Sequence, residues 1–196
     1  LITGGCGKVG SAIRRELSKR YVFRVLDVVA PENQSEGDDF VVGDAADYAT
    51  MVASANGVDA IIHLARVSVK KDRTTQAQRA QFTFQTDIPS VWIALEAARI
   101  NKVKVVVYSS SNHATGLYEK DGMVSRPELP VRPDGIYGAG KAFGEAIGRY
   151  YADQMGVRVC CIRIVNYKDE PRRLYEPGYS RWFSQRDLGQ MVWRCI

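Results

Sequence analysis

The sequence predicts a doubly wound α/β domain, an open parallel sheet with helices on both faces, followed by a small part of a second lobe. Three observations predict it. A glycine-rich turn, Thr3-Gly4-Gly5-Cys6-Gly7-Lys8-Val9-Gly10, stands between a short apolar run and a helical pattern. Short apolar runs then alternate with helical segments along the chain, an order that requires right-handed crossovers and therefore parallel strands. Finally, Val103 to Ser109 is almost continuously apolar, as a strand is when both faces of its sheet are covered.

Each element follows from its local pattern. Leu1 to Thr3 reads as a strand, shorter than the usual run of about five or six residues, so residues upstream of Leu1 are expected. Val9 to Lys19 carries Val9, Ile13 and Leu17 at helical spacing. Tyr21 to Asp27 is the second strand, Phe40 to Val42 a short third, Ala49 to Ala55 a helix and Val58 to Leu64 the fourth strand. Arg66 to Ala80 is polar and charged and reads as a surface loop or a frayed helix start. A long helix follows over Asp87 to Ile100, then the fifth strand, Val103 to Ser109. Ser110 to Gly135 reads as a long loop with three prolines, and structureless connections of that length are usually functional. Tyr137 to Met155 is helical and Val157 to Val165 is the sixth strand. The sheet domain therefore spans residues 1–165, and 166–196 is expected to be a fragment of another lobe. Gln185 to Ile196 is helical without a capping glycine or proline, so the chain is expected to continue beyond it.

Composition narrows the class. The 196 residues suffice for one packed domain, and 45% apolar with 25% charged residues are globular proportions. The longest apolar runs, such as Val105 to Tyr108, fall far short of the roughly 18 residues of a membrane span. The net charge of +5 arises from 27 basic and 22 acidic residues mixed along the chain, without the basic stripe and interleaved aromatics of a nucleic-acid binder. Cys6, Cys160, Cys161 and Cys195 lack C-x-x-C spacing and there are only two histidines, so no metal site is expected. A reducing cytoplasm is the expected location, since no export signal opens the sequence.

The chemistry concentrates in three places. In the turn, Gly4 allows the tight bend, Gly7 lets backbone amides approach a diphosphate and Gly10 permits close helix packing; Lys8 and Val9 open the helix whose N-terminus favours the anion. Asp27 closes the second strand 17 residues after Gly10, where a carboxylate can accept hydrogen bonds from a ribose and would repel a 2′-phosphate. Tyr137 and Lys141, four apart, share one helical face, and an adjacent ammonium favours a phenolate base. Ser109-Ser110-Ser111 stands at the carboxyl edge of the fifth strand, where open α/β sheets bind ligands. His63, ending an apolar strand, reads as a core histidine. Gly140, Gly144 and Gly148 make a smooth helical strip for close packing, either within the domain or against another chain.

These residues, with Gly43-Asp44, His63-Leu64-Ala65 and Tyr137-Gly-Ala-Gly-Lys141, resemble the extended short-chain dehydrogenase/reductase family, the NAD-dependent epimerases and dehydratases. The resemblance implies a Rossmann-type fold, NAD as cofactor and a homo-oligomer formed through the Tyr137 helix. It makes Tyr137 the general base, Lys141 its activator and ribose ligand, and Ser111 the hydroxyl that orients the substrate. Asp44 would contact the adenine, and Leu64, Ala65 and Arg66 would line the cofactor. Ser68, Asn112, His113 and Asn166 would face the sugar. Ser110-Ser111-Asn112-His113, then Gly116, with Arg132-Pro133-Asp134 before Tyr137, looks most like the branch that oxidises C1 of a hexuronic acid to a lactone. Arg172 or Arg173 would then grip the sugar's carboxylate. The other readings are a nucleotide-sugar epimerase or dehydratase and a non-catalytic NAD sensor. Three positions depart from the family: Asp87 for asparagine, Arg66 for a small residue and Asn166 for a small polar one.

Overall fold

A computed structural model describes residues 1–31, 37–67, 74–167 and 182–196. Six parallel strands form its main sheet: β1 (Ile2–Thr3), β2 (Arg24–Asp27), β3 (Asp39–Val42), β4 (Ala60–His63), β5 (Val105–Ser111) and β6 (Arg158–Ile164). Their spatial order is β3-β2-β1-β4-β5-β6. The order reverses between β1 and β4, and such a switch point opens a crevice at the carboxyl ends of the strands. Thr3 stands there, paired with Leu26 on one side and His63 on the other.

The continuous apolar runs are explained by two cores. Val106 and Tyr108 of β5, Ile61 of β4 and Leu26 of β2 face α2 (Tyr48–Ser54), α4 (Ile88–Ile100) and α6 (Ile136–Met155) with Met51, Val91 and Leu95. Val105 and Val107, Ile62 and Val25 face the other way, onto Ile13 and Leu17 of α1 (Lys8–Leu17). Leu188 and Val192 of α7 (Gln185–Cys195) belong to this second layer, and a β-carbon on Gly189 would come within 2.3 Å of Glu16 Cγ. After β6, Asn166–Tyr167 and Trp182–Phe183 pair as a small parallel ladder, β7 and β8, separate from the main sheet.

Several boundaries differ from the sequence expectation. β5 runs on through all three serines, because β6 pairs with it as far as Ser111 opposite Ile164. The stretch read as a loop or frayed helix contains α3 (Gln76–Phe82), begun by a capping box in which Thr75 and Gln78 satisfy each other's amides. A wide turn at Thr83–Asp87 joins it to α4, ahead of Pro89, which has no amide hydrogen to continue the regular pattern. The supposed long loop holds a 3₁₀ turn (Asn112–Ala114) and α5 (Gly116–Lys120). The strip of Gly140, Gly144 and Gly148 packs inside the domain, on Thr83, Tyr108 and Val159. No helix among the described residues is long and apolar enough to cross a membrane.

Candidate active site

The glycine-rich turn forms a cradle. Gly4 adopts φ +66°, and its amide donates to the Leu26 carbonyl at 2.8 Å. A β-carbon on Gly10 would stand 2.6 Å from both the Gly4 oxygen and Gly5 Cα, so α1 meets the turn backbone to backbone. No side chain caps α1 at Gly7, which leaves its first amides for an external acceptor. Asp27 is fixed beside the turn, its Oδ2 accepting from the Cys6 amide at 2.9 Å. Asp44 turns its own loop by accepting from the Ala46 amide at 2.8 Å. An uncapped helix start, a turn without room for β-carbons and an acid at the end of β2 fit a dinucleotide.

A chain of hydrogen bonds pins the segment that crosses the switch point. The Leu64 and Ala65 amides both donate to Thr3 Oγ1, at 3.2 Å each. With its acceptor sites so occupied, the Thr3 hydroxyl donates to His63 Nδ1 at 3.0 Å. The proton of His63 is thereby placed on Nε2, 3.3 Å from Ser90 Oγ, and the Ser90 hydroxyl donates to the Asp87 carbonyl at 2.9 Å. Burial, then the nearby Lys141, pushes the His63 pKa down to about 3, so it is a neutral structural group. Asp87 Oδ1 completes the set by accepting from the Val67 amide at 2.9 Å. Burial raises the Asp87 pKa, opposed by that bond and by Lys141 and Arg66.

At the other wall, β5 and α6 bring Ser111, Tyr137 and Lys141 to the same cleft. Ser111 Oγ accepts from the His113 amide at 3.2 Å and lies 3.4 Å from Asn112 Oδ1. Tyr137 stands in the first turn of α6, its ring 5.7 Å from that of His113, edge to face. Lys141 is buried one turn later, with Nζ 4.9 Å from the Tyr108 ring centre and 5.8 Å from that of Tyr137. Burial lowers its pKa to about 8; Asp87 opposes the shift and Arg66 adds to it. Lys141 therefore keeps its charge at neutral pH beside the phenol. Ser110 is a supporting residue, bonded to Glu145, which forms an ion pair with Arg163.

One cleft of about 1250 Å³ collects nearly every residue singled out by the sequence. Gly4, Gly7, Lys8, Val9, Gly10, Asp27 and Asp44 line its cofactor end, with Leu64, Ala65 and Arg66 in the middle. Ser111, Asn112, His113, Tyr137, Lys141 and Asn166 line the other. Ser68, Arg172 and Arg173 lie outside the described residues. Sequence reasoning gave no role to Thr3, Ser90 or Asp134. Asp134 grips His113 Nδ1 with both carboxylate oxygens at 2.9 Å, a pairing 21 residues apart that no local pattern reveals.

The model of the NAD dependent epimerase/dehydratase family matches residues 1–168. The chain is 33% identical over 200 residues to a uronate dehydrogenase of Pseudomonas putida, covering all of this chain and 70% of the relative. It is likewise 33% identical over 214 residues to an NAD-dependent glucose-6-phosphate dehydrogenase of Haloferax volcanii, covering all of this chain and 79% of that protein. A crystal structure of a uronate dehydrogenase variant from Agrobacterium tumefaciens complexed with NAD superposes with a TM-score of 0.84 at 30% identity, over 97% of this chain and 69% of that one. The cradle, the Tyr137–Lys141 helix face and these matches agree: the chain belongs to the NAD-dependent epimerase/dehydratase family, as an NAD-dependent enzyme of the extended short-chain dehydrogenase/reductase type.

Proposed function

We propose that the protein oxidises C1 of a hexuronate to a lactone, with NAD as the acceptor. The observation that carries this reading is the meeting of Ser111, Tyr137 and Lys141 with Asn112 and His113 at one end of a dinucleotide-sized cleft. The nicotinamide, when bound, supplies the hydride acceptor. Tyr137 takes the proton of the C1 hydroxyl, held ready by the Lys141 ammonium, and Ser111 orients that hydroxyl. Asp134 occupies His113 Nδ1, which leaves Nε2 for a sugar hydroxyl. Asn112 and Asn166 line the same end. Arg172 or Arg173 grips the carboxylate as a bidentate fork. Residues 166 onward are assigned to a substrate lobe, from which α7 returns to the sheet. The relatives named for uronates support the choice of sugar; the one named for glucose 6-phosphate supports a sugar phosphate as the second reading.

Free thiols on all four cysteines support a cytoplasmic location. Exposed Trp92, Phe143 and Tyr150, on α4 and α6, support a homo-oligomer through that face.

A panel of uronates, neutral aldoses, glucose 6-phosphate and nucleotide sugars, followed by NADH absorbance, tests the reading. Uronates are expected to turn over best, and one of the variants Arg172→Ala and Arg173→Ala to lose roughly 10- to 150-fold in kcat/KM on them, the worth of one charged fork. Equal efficiency on glucose, or full activity in both variants, overturns the sugar-acid assignment.

A further inference from the structure

Arg66 stands between two fixed points. The amides of Leu64 and Ala65 before it are bonded to Thr3, and the amide of Val67 after it is bonded to Asp87. The backbone at Arg66 is therefore placed by bonds on both sides, while the side chain itself is exposed. Its guanidinium carbon lies 5.1 Å from the centre of the Tyr137 ring, inside the cleft.

A guanidinium over an aromatic face keeps its N–H groups in its own plane, directed outward. Among the described residues nothing hydrogen-bonds them. Asp87 is the nearby acid, yet its Oδ1 is already taken by Val67. Lys141 is a second cation beside the same ring, 5.8 Å from its centre, and Arg66 acts against its charge. Two cations beside Tyr137 favour an anionic ligand there. Both Arg66 and Tyr137 line the cleft, so a sugar whose C1 lies at Tyr137 can turn an acidic substituent toward Arg66.

We propose that Arg66 is a specificity-determining residue, whose fork holds the anionic substituent of the sugar and so selects sugar acids or sugar phosphates over neutral aldoses. The assignment rests on the reading of the substrate as an anionic sugar. It adds a second guanidinium to the one expected from Arg172 or Arg173. The other anion within the cleft's reach is the cofactor's diphosphate, and the experiment separates the two.

The test uses the wild type, Arg66→Ala and Arg66→Lys. Each is assayed on glucuronate, galacturonate, glucose 6-phosphate and glucose, with NAD affinity measured by calorimetry and folding by thermal denaturation. In Arg66→Ala, kcat/KM on the anionic sugars should fall about 10- to 100-fold, chiefly through KM. The ratio of kcat/KM on the anionic sugars to that on glucose should fall by about the same factor. Arg66→Lys, which keeps the charge and loses the fork, should recover part of the loss. An unchanged anionic preference in Arg66→Ala overturns the proposal. So does a weakened NAD affinity with unchanged sugar preference, which would give the guanidinium to the diphosphate. An equal drop in kcat on every sugar also overturns it, because Arg66 would then act on Tyr137. A wild type without preference for anionic sugars removes the substrate reading itself, and Arg66 falls with it; that failure is read on the wild type alone.

Discussion

A β-carbon placed on Gly138 would lie 2.1 Å from the carbonyl oxygen of His113 and 2.7 Å from its carbonyl carbon. The first turn of α6 therefore rests directly on the 3₁₀ turn that carries Asn112 and His113. The same carbonyl accepts from the Asp134 amide at 3.3 Å, so it has little freedom to yield. Gly138→Ala must push apart two backbones that position Tyr137 and His113. An overpacking cost of about 1–3 kcal/mol is expected in urea unfolding, with a loss of sugar turnover larger than any loss of NAD affinity. Gly140→Ala meets side-chain atoms alone, the Thr83 Cγ2 methyl at 2.6 Å and Ile88 Cγ1 at 4.0 Å, and should be milder; equal effects would remove the special status of Gly138.

Tyr137→Phe removes the phenolic oxygen and nothing else. Turnover should fall by about 10²- to 10⁴-fold, the usual worth of a general base, while the Kd for NAD stays nearly unchanged. Lys141→Ala should weaken both, because the proposed role of Lys141 is toward the phenol and the ribose together. Activity retained in Tyr137→Phe would falsify the mechanism.

The Lys141 ammonium also makes a signed prediction about stability. Its pKa falls from 10.5 to about 8 on folding, chiefly through burial. Between those two values the unfolded chain binds a proton that the folded one has released, so stability rises with pH across that window. Below pH 8 both states are protonated, and the full cost of burying the charge is present, on the order of 3 kcal/mol. Apoprotein Lys141→Met should thus be more stable than wild type near pH 7, with the gap closing as pH approaches 10.5. Urea titrations at a series of pH values read this directly, and a constant gap would contradict it.

Asp27 is expected to set the cofactor's form. Its Oδ2 is held by the Cys6 amide at the end of β2, which keeps a carboxylate where a 2′-phosphate would have to sit. NAD should be used far more efficiently than NADP, and Asp27→Asn should narrow the ratio by relieving the repulsion. Lys8 lines the same end of the cleft but sits at the start of α1, on the diphosphate side of the turn. Similar catalytic efficiency with both cofactors in the wild type would refute this role.

Much of the fold was legible because its causes are local. A two-residue period with both faces apolar marks β5, and the structure sends Val105 and Val107 to one core and Val106 and Tyr108 to the other. The cradle was legible for the same reason, since Gly4 and Gly10 meet steric demands within their own turn. Tyr137 and Lys141 share a helix face by spacing alone. Where the sequence misled, a partner distant in the chain decided. Ser110 and Ser111 became strand because β6 runs alongside, and the apparent loop before α6 became ordered by Asp134 reaching back to His113. The Thr75 capping box was present in the sequence but hidden in a polar stretch. The sequence by itself determined the sheet, the glycine-rich turn and the helix that carries Tyr137 and Lys141, all of which depend on residues a few positions apart. Only the tertiary structure decided that Thr3, His63, Ser90 and Asp87 form one hydrogen-bonded chain and that Arg66 stacks on Tyr137. Those meetings arise from the order in which strands are laid side by side, which no local periodicity encodes.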